Sequence, residues 1–461
     1  MESLTVENQW RSWSEVAGLT GPKAAAAQVA LLNSGSTIKR RLGLRADPFR
    51  FRGSANGVEF QAVGIAGSLS LREVSLEIVP KFVMGPEQFA VWNTSALFFL
   101  EALAGKHVIS LMAQNQRWKS HSVVDLVAQA FADSSERALR DQPIHIYRQN
   151  EVSAAVLRGR LNVRRQARNM LQAPHLLECD VDELDVENPF NDVLKWAATV
   201  LQSLAQNPGL KARLAEIARA IPGEAERSVA QRHHRLTPPP QYQAWADALE
   251  LARMVASGMA LSSNGGQTGG YSLLFNMERA FERFVEVALG RVVQEFGSGH
   301  LSSDRQRSTA YARPVSTQGK TLYCRPDNVL MRQGIPTMVV DAKYKLLDGD
   351  VASSDAEKGA PISQDVYELV AGMFANGCRT GLLVYPASTL SGSQPPKVRT
   401  WCLNIFGTTV RVGALPVDLL SLRSRAELAA QVRSVGEEMM NFLTEHASMG
   451  GENTVLDQRP S

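Results

Sequence analysis

The chain has 461 residues, of which 44% are hydrophobic and 21% are charged, a composition typical of a globular protein with two or three domains. Its 49 basic and 46 acidic residues leave a net charge of +3, so binding of nucleic acid would depend on local basic patches. The four cysteines form no C-x-x-C pair, which argues against a zinc ribbon or a disulfide framework and indicates a reducing, cytoplasmic compartment.

Residues 1–145 are predicted to form an N-terminal domain that is β-rich at first and then helical. Alternating apolar residues predict strands at 44–52, 58–69 and 74–82. Glycines 57, 64 and 67 mark turns or bulges in them. Two helices are expected to follow, at 86–105 and 121–139.

Residues 146–262 are predicted to be a mainly helical middle region. Its first part, to about residue 163, is predicted to be extended. It leads into a cluster of five arginines: Arg158, Arg160, Arg164, Arg165 and Arg168. The cluster either contacts phosphate or forms a solvated, salt-bridged connector. Asn188-Pro189 predicts a turn, and Asn191 is expected to cap a helix at 192–205. Further helices are predicted at 208–221 and 241–259, separated by a proline-rich linker in which His233 and His234 are expected to be surface residues.

The glycine-rich stretch 262–270 predicts a domain boundary. The C-terminal domain is expected to start within this stretch and to comprise residues 263–446. Apolar residues at three- and four-residue steps predict an amphipathic helix at 276–296, with Glu282 beside its buried face. Later elements are expected to be a helix at 364–375, strands at 380–385, 398–406 and 409–415, and a helix at 424–446. Residues 447–461 are expected to be disordered.

A predicted hairpin at 321–345 carries ionisable residues within apolar strands. Residues 322–332 and 337–345 are extended, and the breakers at 333–336 connect them. Asp341 and Lys343 are two positions apart and project from one side of their strand, and Asp327 can approach Asp341 across the hairpin. Two converging carboxylates beside a lysine suit Mg²⁺ and a phosphate, although a structural ion pair is the alternative.

Arg325-Pro326-Asp327 followed by Asp341-Ala342-Lys343 resembles the PD-(D/E)xK signature of restriction-endonuclease-like nucleases. Residues 76–82 (LEIVPKF), 185–191 (DVENPFN) and 280–284 (AFERF) resemble phrases of the McrC family, the nuclease subunits of McrBC-type, modification-dependent restriction systems of antiviral defence. The resemblance implies an α+β N-terminal region that docks on a partner, a helical middle and a C-terminal α/β domain of the restriction-endonuclease-like fold.

The resemblance also implies an activity: Mg²⁺-dependent, or Mn²⁺-dependent, hydrolysis of DNA phosphodiesters. Asp327, Asp341 and the Ala342 carbonyl would bind the metal, and Lys343 would orient water or stabilise charge. Glu282 would be a further carboxylate, preferred over Glu278 and Glu286, and Lys345 would contact phosphate.

By the same resemblance, the partner would be an McrB-like AAA+ GTPase hexamer. The sequence of this chain contains no P-loop, so the chain itself is not expected to bind a nucleotide triphosphate. No run of about 18 apolar residues occurs, so a membrane is not expected as a partner. Where the family often has a Gln and a Tyr four residues apart, this chain has Glu368 and Gly372. The competing hypothesis is an inactive nuclease-fold subunit that stimulates or tethers the motor.

Overall fold

The computed structural model describes residues 3–55, 57–71, 74–83, 88–89, 91–92, 95, 123–225, 238–258, 270–296, 300–315, 319–346, 361, 363–387, 397–420 and 425–449. Within these ranges, no helix combines the length and apolarity that a membrane span requires. Of the predicted helix 86–105, residues 88–89, 91–92 and 95 are helical, and the others lie outside the described residues. His233, His234 and the predicted tail beyond residue 449 also lie outside them.

The first part of the N-terminal region, residues 3–79, combines strands of two sheets with two helices. Its elements are, in chain order, β1 (Ser3–Val6), β2 (Arg11–Ser12), α1 (Trp13–Ala17), α2 (Gly21–Leu42), β3 (Phe49–Ser54), β4 (Gly57–Ala62), β5 (Ile65–Leu71) and β6 (Val74–Val79). One sheet has the order β2-β4-β3. In the other sheet β6 pairs in parallel with β1 and antiparallel with β5.

Helix α2 is not among the predicted elements, and its presence shortens a predicted strand. The helix buries Leu31 and Ile38 in a cluster that they share with the neighbouring strands. It ends at Gly43, whose φ of +62° is a left-handed conformation that favours glycine, so the strand expected at 44–52 begins only at Phe49. Gly64, with φ of +71°, divides the strand expected at 58–69 into β4 and β5.

Helix α3 (Val123–Leu139) ends the N-terminal region. The middle region combines helices with a small sheet, and its elements are β7 (Ile146–Ala154), β8 (Arg160–Leu161), α4 (Val163–Asn169), β9 (Leu177–Asp185), α5 (Pro189–Leu204), α6 (Pro208–Ala220), a 3₁₀ helix (Pro240–Trp245) and α7 (Ala246–Gly258). Strands β7, β9 and β8 form an antiparallel sheet in that order. The helix predicted at 241–259 is therefore a 3₁₀ turn followed by an α-helix.

The N-cap of α5 is Asn188, so the prediction of Asn191 as the cap is wrong. The Asn188 side-chain oxygen accepts hydrogen bonds from the backbone N–H groups of Phe190 (3.2 Å) and Asn191 (3.1 Å). Pro189 takes the first helical position, which its fixed φ and missing N–H suit, and the helix consequently starts earlier than expected. The buried Asn191 amide instead donates to the Ile144 carbonyl at 2.8 Å.

The C-terminal region is built on a mixed sheet. Its elements are β10 (Gly270–Asn276), α8 (Met277–Phe296), β11 (Leu301–Arg305), β12 (Thr309–Ala312), β13 (Leu322–Cys324), β14 (Asn328–Arg332), β15 (Ile335–Ala342), α9 (Ser363–Asn376), β16 (Thr380–Pro386), β17 (Arg399–Ile405), β18 (Thr408–Val417) and α10 (Arg425–Met449). The six-stranded sheet has the order β11-β14-β15-β16-β18-β17, and β16 is parallel to both of its neighbours. Residues 447–449, predicted to be disordered, belong to α10.

The hairpin of β14 and β15 confirms the predicted antiparallel pairing, with different limits. Its turn consists of Gln333 and Gly334, both with positive φ, as in the tight turns that match the twist of paired strands. Ile335 and Pro336, expected in the connection, lie in β15. The strand expected at 322–332 is interrupted between β13 and β14, where Pro326 has no N–H for a ladder hydrogen bond.

Strand β15 contacts a different helix on each face. Met338, Val340 and Ala342 belong to the core that includes α8, whereas Val339 packs with Leu369 of α9. The predicted buried face of α8 is confirmed, because the following residues are all buried: Phe281, Phe284, Val285, Ala288, Leu289 and Val292. Since side chains alternate along a strand, Asp341 and the lysine that follows two positions later lie on the α9 side.

Strand β10 connects the two ends of the chain. It lies just after the predicted boundary at 262–270, yet it pairs antiparallel with β5 over its whole length and so completes the order β1-β6-β5-β10. One continuous core also includes Phe82, Leu194 and Phe281, which come from the N-terminal, middle and C-terminal regions. The regions are therefore joined by shared strands and a shared core.

Candidate active site

The hairpin brings Asp327 beside Asp341. Asn328 is opposite Val340 in the antiparallel register, so Asp327, one residue earlier, faces Asp341, one residue later. The backbone N–H of Ala342 donates to Asp327 Oδ2 at 2.9 Å, which fixes the Asp327 carboxyl at the end of β15. The side chains predicted to converge are therefore held together by the hairpin itself.

Lys343 lies between two carboxylates. Its Nζ is 2.7 Å from Asp341 Oδ2 and 2.7 Å from Glu368 Oε2 on α9. Burial by itself lowers the pKa of Lys343, but the Asp341 and Glu368 carboxylates outweigh this effect and raise it. The lysine is therefore held as a cation. The role of Glu368 in holding it is not predicted by the sequence, which identifies this residue only as a departure from a family pattern.

Asp327 is strongly perturbed. Burial, together with the charge of Asp341, raises its pKa to about 8. At neutral pH and without a cation the pair therefore retains a proton, because two adjacent carboxylates cannot both ionise at low cost. A divalent cation can replace that proton, which is the behaviour expected of a metal-binding carboxylate pair.

Glu282 on α8 lines the same cavity as the aspartates. Burial, then the charges of Glu278 and Asp341, raise its pKa. Glu278 also lines the cavity and is 3.2 Å from Arg45 Nη1. Glu286 is instead ion-paired with Arg283 and Arg305 and is not among the residues that line the cavity. Of the three glutamates, two therefore reach the site.

The two residues that follow Lys343 are each held by a separate set of hydrogen bonds, of which that of Lys345 lies beside α9. Lys345 Nζ is 2.6 Å from Oδ1 of the buried Asp365, whose Oδ2 accepts a hydrogen bond from the Tyr385 hydroxyl at 3.2 Å. Lys345 lines the cavity, but its charge is already paired. This pairing was not predicted, because Asp365 comes from α9, twenty residues further along the chain.

Tyr344 ties the site to the N-terminal sheet. Its buried hydroxyl donates to Glu7 Oε2 at 2.6 Å. Lys81 Nζ donates to the Tyr344 carbonyl at 2.5 Å and lies 4.0 Å from the centre of its ring. Burial raises the pKa of Glu7 and lowers that of Lys81. The sequence identifies Lys81 only as part of the 76–82 phrase, and it gives no signal for Glu7.

The arginine cluster of the middle region does not contribute to the wall of this cavity. Arg165 is paired with Glu178 and lies 3.2 Å from Glu151 Oε2, as expected of a salt-bridged connector. Arg158, Arg160 and Arg164 are exposed on β8, α4 and the preceding loop. None of the four lines the cavity. Contact with phosphate remains a prediction for the three exposed arginines.

The cavity has a volume of about 470 Å³ and is lined mainly by polar side chains. No group of three or more His, Cys, Asp or Glu side chains in the described part of the chain is arranged to hold a metal ion together. Mg²⁺ needs fewer protein ligands than this, because it keeps several waters and is usually held by one or two carboxylates. The Asp327–Asp341 pair therefore fits Mg²⁺.

The six-stranded sheet and its acidic cavity define a mixed α/β protein with a paired carboxylate–lysine site. The sequence model of the family described as "McrBC 5-methylcytosine restriction system component" matches residues 60–386. This match spans more than half of the chain, so the chain belongs to this family.

Solved structures from Thermococcus gammatolerans are similar to this chain, and the first of the following two shares its fold. One is a refined half-complex from the tetradecameric assembly of McrB AAA+ hexamers with bound McrC, with 17% identity, a TM-score of 0.63, and coverage of 96% of this chain and 100% of that chain. The other is a McrBC complex, with 17% identity and a TM-score of 0.46, covering 64% of this chain and 89% of that chain. A comparison with curated proteins found no match.

Proposed function

We propose that the chain is the DNA-cleaving subunit of a modification-dependent restriction system and that residues 263–446 act as a PD-(D/E)xK nuclease domain. The arrangement of Asp327, Asp341 and Lys343 at the end of one hairpin carries this proposal. A half-buried acid pair beside a fixed cation suits attack on a phosphodiester, whose transition state is rich in negative charge. Membership in the McrBC family supports DNA as the substrate.

Asp327 and Asp341, with the Ala342 carbonyl, would hold Mg²⁺, or Mn²⁺ in its place. When bound, such an ion lowers the pKa of a coordinated water and neutralises charge on the phosphate. Lys343, held as a cation by Asp341 and Glu368, donates to the attacking water or to a phosphate oxygen. Glu282, whose pKa is raised, is a further carboxyl group that can hold a proton in the same cavity.

Substitution of Asp341 tests the proposal. Full-length Asp341→Ala should lose Mg²⁺-dependent cleavage of methylated DNA, assayed together with the McrB-like partner, while its circular dichroism spectrum stays that of the wild type. Asp141→Ala, which changes an exposed aspartate after α3, is the matched control and should cleave normally. EDTA should stop cleavage by the wild type. Undiminished cleavage by folded Asp341→Ala would overturn the proposal and favour the inactive regulatory subunit as the alternative.

An McrB-like AAA+ GTPase is the proposed partner, and the N-terminal region the proposed docking domain. The match in fold to a structure of McrB AAA+ hexamers with bound McrC supports this proposal, and the absence of a P-loop sequence in this chain is consistent with a separate motor. The purified chain should hydrolyse neither GTP nor ATP and should cut DNA weakly alone. Nucleotide turnover at a motor's rate by the isolated chain would contradict the two-subunit arrangement.

A further inference from the structure

Strands β12 (Thr309–Ala312) and β13 (Leu322–Cys324) form a separate two-stranded sheet beside the acidic cavity, which we call the tyrosine ribbon. The ribbon is inserted between β11 and β14, and β13 leads through Arg325 and Pro326 directly to Asp327. Tyr311 and Tyr323, one from each strand, line the same cavity as the aspartates. A molecule bound at the acid pair would therefore meet the ribbon.

The two ribbon tyrosines are exposed. Tyr311 is 42% exposed and Tyr323 is 62% exposed. By contrast, Tyr344, which also lines the cavity, and Tyr385, on β16, are buried. Neither ribbon hydroxyl makes a hydrogen bond to any part of the chain that the structure describes. These rings therefore contribute little to the core, and their faces are open to a ligand.

The ribbon and its flanks carry a concentrated positive charge. Between Arg305 and Arg325 the sequence has five Lys or Arg residues and no Asp or Glu, while the whole chain has a net charge of only +3. Arg305 is paired with Glu286, and Arg307 lies 3.6 Å from Asp304. The other three make no ion pair with the described residues: Arg313, Lys320 and Arg325. Arg325 also lines the cavity.

We propose that the tyrosine ribbon binds a DNA strand with unpaired bases next to the scissile phosphate. The free cations contact successive phosphates, and Tyr311 and Tyr323 stack on extruded or single-stranded bases. Exposed aromatic rings beside cations are the features that hold unpaired strands, because every base has a π-face. An intact duplex satisfies only the cations, since its base faces are stacked inside the helix. This inference rests on the proposed function, because it takes DNA as the substrate.

Binding in EDTA tests the ribbon separately from cleavage. Fluorescence anisotropy would compare the full chain on three labelled DNAs of equal length: single-stranded, fully paired, and paired with a central four-base bubble. The double variant Tyr311→Ala/Tyr323→Ala should bind single-stranded and bubbled DNA at least about tenfold more weakly. Its affinity for the paired duplex should change less than about twofold.

Conservative and distant variants make the test specific. Tyr311→Phe/Tyr323→Phe keeps both rings and should bind like the wild type. Tyr367→Ala removes a 72% exposed tyrosine of α9 that does not line the cavity, and it should also bind normally. A loss that is equal for the Phe and Ala double variants, or equal for paired and unpaired DNA, would overturn base stacking, as would wild-type binding by the Ala double variant.

The cations give a second, independent measurement. Arg313→Gln/Lys320→Gln should weaken binding to all three DNAs, and the slope of log affinity against log salt should fall by about 1.4 on the single strand. Lys211→Gln/Arg219→Gln, which removes two cations from exposed positions of α6, is the charge-matched control. An unchanged salt slope would overturn the phosphate contacts. Failure of the proposed nuclease function is distinguishable, because Asp341→Ala tests cleavage, whereas these measurements contain no metal.

Discussion

Glu7→Ala should strongly destabilise the chain, although Glu7 lies far in sequence from the residues of the acidic cavity. The Glu7 carboxylate is only 1% exposed and accepts hydrogen bonds from Gly64 N–H (2.9 Å), Lys81 N–H (3.3 Å) and the Tyr344 hydroxyl (2.6 Å). The ammonium of Lys81 is the nearby opposite charge that favours the ionised carboxylate. Alanine would leave three donors without an acceptor and a partly buried cation without its counter-charge.

The magnitude follows from those lost contacts. Each buried donor left without a partner costs about 1–3 kcal/mol, and three donors lose their acceptor in this variant. We therefore expect Glu7→Ala to lower the free energy of unfolding by about 3–5 kcal/mol. Tyr344→Phe removes only one of the three donors and keeps the ring, so its cost should be about 1–2 kcal/mol.

Urea unfolding followed by circular dichroism would measure both variants. Glu59→Ala is the control, because it breaks the exposed Arg52–Glu59 pair, with Nε and Oε2 2.6 Å apart, and should cost no more than about 1 kcal/mol. If Glu7→Ala were no more destabilising than Glu59→Ala, the buried network would not connect the N-terminal sheet to Tyr344 in the way described. The double variant Glu7→Ala/Tyr344→Phe should cost less than the sum of the two single variants, since they share one hydrogen bond.

Three further predictions concern the cavity and the middle region. The pKa of Asp327 is about 8 in the folded, metal-free chain and about 4 when the chain is unfolded. Protonation of Asp327 therefore contributes stability that is complete below about pH 4 and is lost as the pH rises to about 8. Asp327→Asn should remove this pH dependence from thermal melts in EDTA. Glu368→Ala should reduce single-turnover cleavage by about tenfold with little change in KM, because Lys343 loses one of its two carboxylates, whereas Glu368→Gln keeps an acceptor and should cleave nearly normally. Arg165→Ala should lower the melting temperature, because Glu178 loses its cation, whereas Arg164→Ala, at an exposed position, should not.

The sequence predicts the parts of the site that depend on local pattern. The hairpin, the buried face of α8 and helix α9 all follow from periodicity and from turn residues. The same-side placement of Asp341 and Lys343 requires only the alternation of a strand, and they are found 2.7 Å apart. These features are set by residues close together in the chain, so one sequence suffices to find them.

What the sequence does not predict depends on contacts between distant segments. Helix α2 shows no strong periodicity, and only its packing against the N-terminal strands identifies its buried face. Glu7 reaches Tyr344 across 337 residues, and no local pattern signals such a pairing. Glu368 resembles an ordinary surface glutamate of α9 until the fold places it beside Lys343. Asn188 and Asn191 are both plausible caps, and the proline between them decides which one is used.

The pairing of β10 with the N-terminal sheet has a mechanical consequence. β10 is continuous with α8, which carries Glu282, and the Lys81–Tyr344 hydrogen bond is a second connection between the same two regions. Two connections at separate places prevent a simple hinge motion, because rotation about one of them would stretch the other. The N-terminal sheet and the acidic cavity should therefore open as one cooperative unit in hydrogen exchange, and a load applied to the sheet would be transmitted to the carboxylates of the cavity as rigid-body displacement.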